Sequence, residues 1–132
     1  MNKKQLLKHL REDIYCRIGR SKIHGVGVIA IRKIPKGINP FKKVTDFDLI
    51  RFKKKELKRL NPQVKKMMSD FLSLDRDDIL VPTTGLNVLD VSFHMNHSKK
   101  PNVIVGKNED FFAARDIKEG EELTVDYSTF SD

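Results

Sequence analysis

Asn96 and His97 stand side by side in Phe93-His94-Met95-Asn96-His97-Ser98, between apolar residues and just ahead of Pro101-Asn102. A primary amide carries donors and an acceptor together, and neutral imidazole carries one of each, so the pair suits the edge of a heteroaromatic ring. An Asx-turn beside a packed histidine is the plainer alternative. Buried polar groups need partners, so this segment must meet another part of the chain or a ligand. Later comes Gly120-Glu121-Glu122-Leu123-Thr124-Val125-Asp126-Tyr127, a strand pattern ending at one of only two tyrosines. A lone tyrosine is usually a half-buried packing residue. Near the N-terminus, His24-Gly25-Val26-Gly27 allows two close main-chain approaches to a ligand. It is equally a tight turn, because the third Gly and following helix of a dinucleotide loop are missing.

Other chemistries find less support. His94-x-x-His97 has metal-like spacing, but no cysteine or acidic ligands accompany it, and no metal site is expected. Cys16 is the only cysteine. An internal disulfide and a cysteine zinc cluster are therefore excluded, and a reducing compartment is the simplest expectation. No Ser occupies a Gly-x-Ser-x-Gly elbow, and Cys16 has no evident base beside it.

These residues must be positioned by short strands and turns. Residues 2–12 suggest a short helix with Leu6, Leu7 and Leu10 on one side, and Ile14 to Ile18 a strand. Val28-Ile29-Ala30-Ile31 is dominated by β-branched residues and reads as another strand. Val103-Ile104-Val105, the turn Gly106-Lys107-Asn108-Glu109 and Phe111-Phe112-Ala113-Ala114 read as a hairpin, and Leu123-Thr124-Val125 as a further strand. The middle differs. Phe47, Leu49, Ile50, Leu57 and Leu60 are loosely helical, with Asp46 or Asp48 as a cap. Asn61-Pro62 then starts a second helix, along which Val64, Met67, Met68, Phe71 and Leu72 form an amphipathic stripe. Residues 46–73 thus read as a helical insert in a mainly β chain. Residues 75–87 read as loop, with a short apolar stretch at Ile79-Leu80-Val81. Ala30–Ile38 and Ala113–Glu121 echo each other, with Ala, Arg, Ile and Gly at equal offsets, as one turn chemistry used twice.

A chain of 132 residues, 39% apolar and 33% charged, fits one domain with its own core. It has neither a membrane-span run nor a secretory signal, so a soluble intracellular protein is expected, cytoplasmic, or nuclear in a eukaryotic host. The net charge of +8 is unevenly spread. Residues 51–66 hold eight Lys/Arg against Glu56 alone, whereas residues 108–132 hold eight Asp/Glu against Arg115 and Lys118. Nucleic acid at the basic stretch and a cationic substrate at the acidic end are one interpretation; solvated helix and turns are the other.

The order of these motifs resembles the SET domain of protein-lysine methyltransferases. The resemblance rests on His24-Gly25-Val26-Gly27, Phe93 to Ser98 with Pro101-Asn102, Arg115-Asp116-Ile117, and Gly120 to Tyr127, spanning about Ile14 to Tyr127. It implies a single domain over 1–132 with a fold of several small sheets (β-clip type). The helical insert would occupy 46–73, and a C-terminal pseudoknot would lie beside S-adenosylmethionine. It further implies cofactor contacts from His24, Gly25, Val26, Gly27, Asn96, His97, Tyr127 and Phe130, with Tyr127 as the active-site tyrosine. The implied partner is a protein presenting a lysine (histone, histone-like or ribosomal). A catalytically weak module that binds a lysine-rich or nucleic-acid partner through residues 51–66 is the alternative.

Methyl transfer to lysine needs a neutral amine. From a free pKa of about 10.4, neutrality at pH 7 costs about 4.6 kcal/mol, at about 1.36 kcal/mol per unit. A dry channel and a nearby cation both lower that cost. The sequence departs from the family pattern at Phe93 and His94, where Arg and an apolar residue are usual, at Lys99-Lys100, and at Ser128 in place of Gly. Val125 stands where many members carry an aromatic residue linked to methyl number.

Overall fold

The computed structural model describes residues 2–43, 48–72, 74–75, 77–106 and 110–130, the side chains of 74, 75 and 130 excepted. In chain order the elements are α1 (Lys3–Glu12), β1 (Cys16–Arg20), β2 (Val26–Ala30), β3 (Leu49–Lys53), α2 (Pro62–Phe71), β4 (Leu74–Asp75), β5 (Asp78–Pro82), β6 (Asn96–His97), β7 (Val103–Val105), β8 (Phe111–Ala113) and β9 (Glu122–Val125). Short 3₁₀ turns cover Lys54–Leu57, Val91–His94 and Tyr127–Phe130. Among the described residues, no helix is long and apolar enough to cross a membrane.

Among the described residues the strands fall into three small sheets. One has the order β1-β2-β9-β6, the second β3-β5-β4, and the third is the hairpin β7-β8. In the first sheet β9 lies between β2, which it meets antiparallel, and β6, which it meets parallel with Asn96 opposite Thr124 and His97 opposite Val125. The C-terminal strand is therefore enclosed on both edges. The period-two burial of strands puts Leu123 and Val125 in the core, and Thr124 is also buried.

The two echoing segments pair with each other. Ile34 and Ile117 exchange backbone hydrogen bonds at 2.8 Å in both directions. Gly120 N–H donates to Ala30 O, and Gly37 N–H donates to Ala113 O, each at 2.8 Å. Gly37 and Gly120 take φ of +88° and +89°, the left-handed region that favours glycine. The shared turn chemistry thus builds a local pseudo-two-fold unit. Ile34 and Ile117 are both 0% exposed at its centre, each burial contributing about 1.5–3 kcal/mol. Val28, Ala30, Met95, Val103, Ala113, Leu123 and Val125 complete the core around it.

The middle of the chain corrects two expectations. Leu49–Lys53 is a strand and not the first helix of an insert, and 78–82 is its antiparallel partner and not loop. Local spacing alone left Leu49-Ile50-Arg51-Phe52 ambiguous; the non-local pairing, with Ile50 opposite Val81, decides it. Asp46 and Phe47, expected at the start of that helix, and Lys107, Asn108 and Glu109 of the expected hairpin turn lie outside the described residues. The second helix forms as expected: Asn61 caps α2 by accepting from Gln63 N–H at 2.8 Å, and Pro62 opens it. Met68 and Leu72 are buried. In α1, where Asn2 and Gln5 form a reciprocal capping box, Leu6, Leu7 and Leu10 remain exposed.

Candidate functional site

The 3₁₀ turn Val91–His94 delivers the polar segment. Asp90 caps it by accepting from Ser92 N–H at 2.9 Å. His94, one of the residues that departed from the family pattern, packs edge-on against Phe71 of α2 at 5.6 Å between ring centroids. That contact ties the insert to the chain just before the site. Buried Met95 follows, and Asn96 and His97 then enter the sheet as β6.

Asn96 is the hub. Its Nδ2 lies 2.9 Å from Glu122 Oε2, 3.0 Å from Ser21 Oγ, and 3.1 Å from both His24 O and Val26 O. Two amide protons are shared among four oxygens, which fixes the amide orientation and leaves Oδ1 with no donor among the described residues. Ser21 Oγ donates to Glu122 Oε1 at 2.7 Å and accepts from Ile23 N–H and His24 N–H at 2.9 and 3.1 Å. The loop from Ser21 to Gly27 is thereby closed onto β9 and β6.

Gly27 is dictated by this network. A Cβ there would fall 2.6 Å from Glu122 Oε2, closer than real Cβ atoms come, and 3.0 Å from Asn96 Nδ2, a tight contact from which the amide would have to give. Gly25, at φ +51°, has open space around it. His24, Gly25 and Val26 are exposed, and they enter the network through backbone groups.

His97 and Tyr127 meet on the other side of β6. Tyr127 N–H donates to His97 Nδ1 at 3.0 Å, which puts the imidazole proton on Nε2. The rings lie 5.2 Å apart. Asp126 Oδ1 is 3.8 Å from Nδ1, beyond hydrogen-bond reach. It accepts instead from the Ser128 hydroxyl and Ser128 N–H at 2.7 and 2.9 Å, and these donors hold its carboxyl below the usual aspartate range. The Tyr127 hydroxyl donates to Met95 O at 2.5 Å. Partial burial, and secondarily the negative charge of Glu122, push the phenol above its ordinary range. Phe130 ends the last 3₁₀ turn, and its side chain lies outside the described residues.

Three contributors had no role assigned from sequence. Ser21 and Glu122 anchor the Asn96 amide, and Asn102 braces β9. Asn102 is 5% exposed; its Nδ2 donates to Glu122 O and its Oδ1 accepts from Thr124 N–H, both at 2.8 Å. The side-chain amide thus acts as one more strand edge against β9. The legible signal was period-two alternation, which puts Glu122 and Thr124 on one face, together with a glycine on the strand beside them.

A family model described as the SET domain matches residues 25–128. The chain belongs to the SET-domain family. Proteins of this family are generally protein-lysine methyltransferases that use S-adenosylmethionine. Among solved structures, a Plasmodium falciparum protein named as a candidate histone methyltransferase is similar in fold. Its TM-score is 0.54 at 20% identity, over 86% of this chain and 93% of that one. No curated protein sequence matches this one. The SET assignment accounts for the three small sheets and for the enclosure of β9.

Proposed function

We infer that this SET domain, taken as one unit over 1–132, transfers a methyl group from S-adenosylmethionine to the side-chain amine of a protein lysine. One observation carries this reading. The Ser21–Gly27 loop, Asn96 and Glu122 meet on one side of β6, while Tyr127 is pinned to Met95 O on the other.

The residues fit the cofactor's chemistry. Asn96 Oδ1 is an acceptor without a donor among the described residues, and it stands beside the Glu122 carboxylate, a setting suited to a cationic ligand. His97 retains Nε2–H as a donor, and the open space at Gly25 lets main chain approach a ligand. On this reading the backbone of His24–Gly27 contacts the cofactor, and Asn96 and His97 hold its two ends. Phe130 would cover the adenine. When bound, S-adenosylmethionine supplies a methyl group activated on a sulfonium.

The remaining work belongs to the chain. Tyr127 directs its hydroxyl proton to Met95 O, which orients the phenolic oxygen on the side of β6 where the amine would enter. A neutral phenol there does not hold the lysine as an ammonium, as a carboxylate would. Acidic side chains around the C-terminal segment, Asp126 among them, attract a cationic substrate before it is desolvated. The substrate class is a lysine-rich protein such as a histone, a histone-like protein or a ribosomal protein. The test is transfer of labelled methyl from S-adenosylmethionine to lysines in a protein mixture, read by mass spectrometry. Methyl-lysine that appears with the parent chain and is lost with Tyr127→Phe supports the reading; a folded chain that labels no lysine opposes it.

A further inference from the structure

We propose that the ridge formed by the 3₁₀ turn Lys54–Leu57 and the start of α2 binds the phosphodiester backbone of nucleic acid. Lys53, Lys54, Lys55, Lys58 and Arg59 are all exposed, and none forms an ion pair among the described residues. The one acid within 51–66, Glu56, turns its carboxylate back onto Lys53 N–H at 2.8 Å, capping the turn without pairing to a lysine. Three cations outside this cluster, by contrast, have carboxylate neighbours: Lys66 with Asp70 at 3.0 Å, Arg115 with Glu121 at 2.9 Å and Lys43 with Asp90 at 2.8 Å.

Like charges three and four residues apart repel, so a surface built only for solubility would interleave signs. Lys65 Nζ donates to Lys58 O at 2.8 Å, laying the first turns of α2 beside the 3₁₀ turn and joining their charges into one ridge. Its apolar fringe is shallow, with Leu60 and Val64 each 37% exposed. A dense group of unpaired cations suits the closely spaced charges of a nucleic acid, one negative charge per about 1.7 Å of duplex. An acidic peptide would draw more on apolar contacts between its charges.

The ridge is also fixed relative to the site. Through Phe71, α2 packs on His94, two residues before Asn96. Nucleic acid on the ridge, at the N-terminal end of α2, is thereby held on the helix whose other end, at Phe71, packs against the chain leading into the site. Binding at the ridge does not depend on methyl transfer, so it is measured without cofactor.

The experiment is fluorescence anisotropy of the full chain with a short mixed-sequence DNA duplex and, separately, an RNA of equal length, across a salt series. Replacing three phosphate-contacting lysines together, in Lys54→Gln/Lys55→Gln/Lys58→Gln, should shrink the slope of log affinity against log salt by about 2.7 on duplex DNA, and weaken binding at least about tenfold near 50 mM salt. A control with the same net charge, Lys3→Gln/Lys4→Gln/Lys8→Gln in exposed α1, should change affinity by less than about twofold. Tighter binding of either nucleic acid upholds the ridge and identifies the source of the phosphates. Equal loss in both triple variants would reduce the effect to net charge and overturn the proposal. So would absence of binding near 50 mM salt, or displacement of the duplex by polyglutamate more readily than by unlabelled duplex. If the ridge triple unfolds, the single changes carry the same test, each lowering the slope by about 0.9.

Discussion

The Tyr127 hydroxyl donates to the backbone carbonyl of Met95 at 2.5 Å, across the strand that carries Asn96 and His97. This bond fixes the phenolic oxygen relative to the loop network. Tyr127→Phe removes the hydroxyl and leaves the backbone bond from residue 127 N–H to His97 in place. Methyl transfer should fall by about a hundredfold, the scale of losing one positioned polar group, while cofactor affinity stays within about twofold. Single-turnover kinetics beside a binding titration separates the two effects.

Gly27→Ala would force Glu122 and Asn96 aside, because the new Cβ meets Glu122 Oε2 at 2.6 Å and Cδ at 2.9 Å. Overpacking of this kind costs about 1–3 kcal/mol, so urea unfolding should shift accordingly and cofactor affinity should drop with it. Gly25→Ala meets no atom within 4 Å. Its cost should be confined to the left-handed backbone, about 1–2 kcal/mol.

Asn102→Ala removes both side-chain bonds that brace β9 and leaves Thr124 N–H buried without its acceptor. Two lost hydrogen bonds and a stranded donor predict about 2–4 kcal/mol of destabilisation by chemical denaturation. Asn102→Asp should be worse, since a carboxylate oxygen would then face Glu122 O.

The pH profile follows from Tyr127. Burial and Glu122 both disfavour the phenolate, so the tyrosine keeps its proton beyond the usual pKa of about 10. Activity should therefore rise from neutral pH as the substrate amine loses its proton, with no downturn from Tyr127 below about pH 10. Glu122→Gln removes a negative charge and should move that downturn to lower pH. A parent profile that already falls near pH 8 would contradict the assignment.

Cys16 offers a simple check on the core. Burial pushes its thiol up to about 12. It should resist iodoacetamide in the native protein at pH 8 and react once the chain is unfolded.

The residue types at Asn96, His97 and Tyr127 were readable because polar pairs and a terminal tyrosine stand out against apolar strands. The echo between Ala30–Ile38 and Ala113–Glu121 was readable as turn chemistry, but the pairing of the two copies was not, because register between distant segments leaves no local trace. The same limit hid β3, which reads as loosely helical, and β5, which reads as loop, until Ile50 is seen to meet Val81. It also hid the Ser21–Glu122 bond, which joins residues 101 apart. His94 looked out of place as a sequence feature because its partner, Phe71, belongs to the insert.

The most direct test is titration calorimetry of S-adenosylmethionine into the parent chain and into Asn96→Asp. That substitution sets a carboxylate oxygen where Nδ2 now lies 2.9 Å from Glu122 Oε2, breaking the hub of the loop network. The account predicts saturable uptake at one site per parent chain, with affinity for the variant lower by at least about tenfold. A folded parent chain that takes up no S-adenosylmethionine would contradict it.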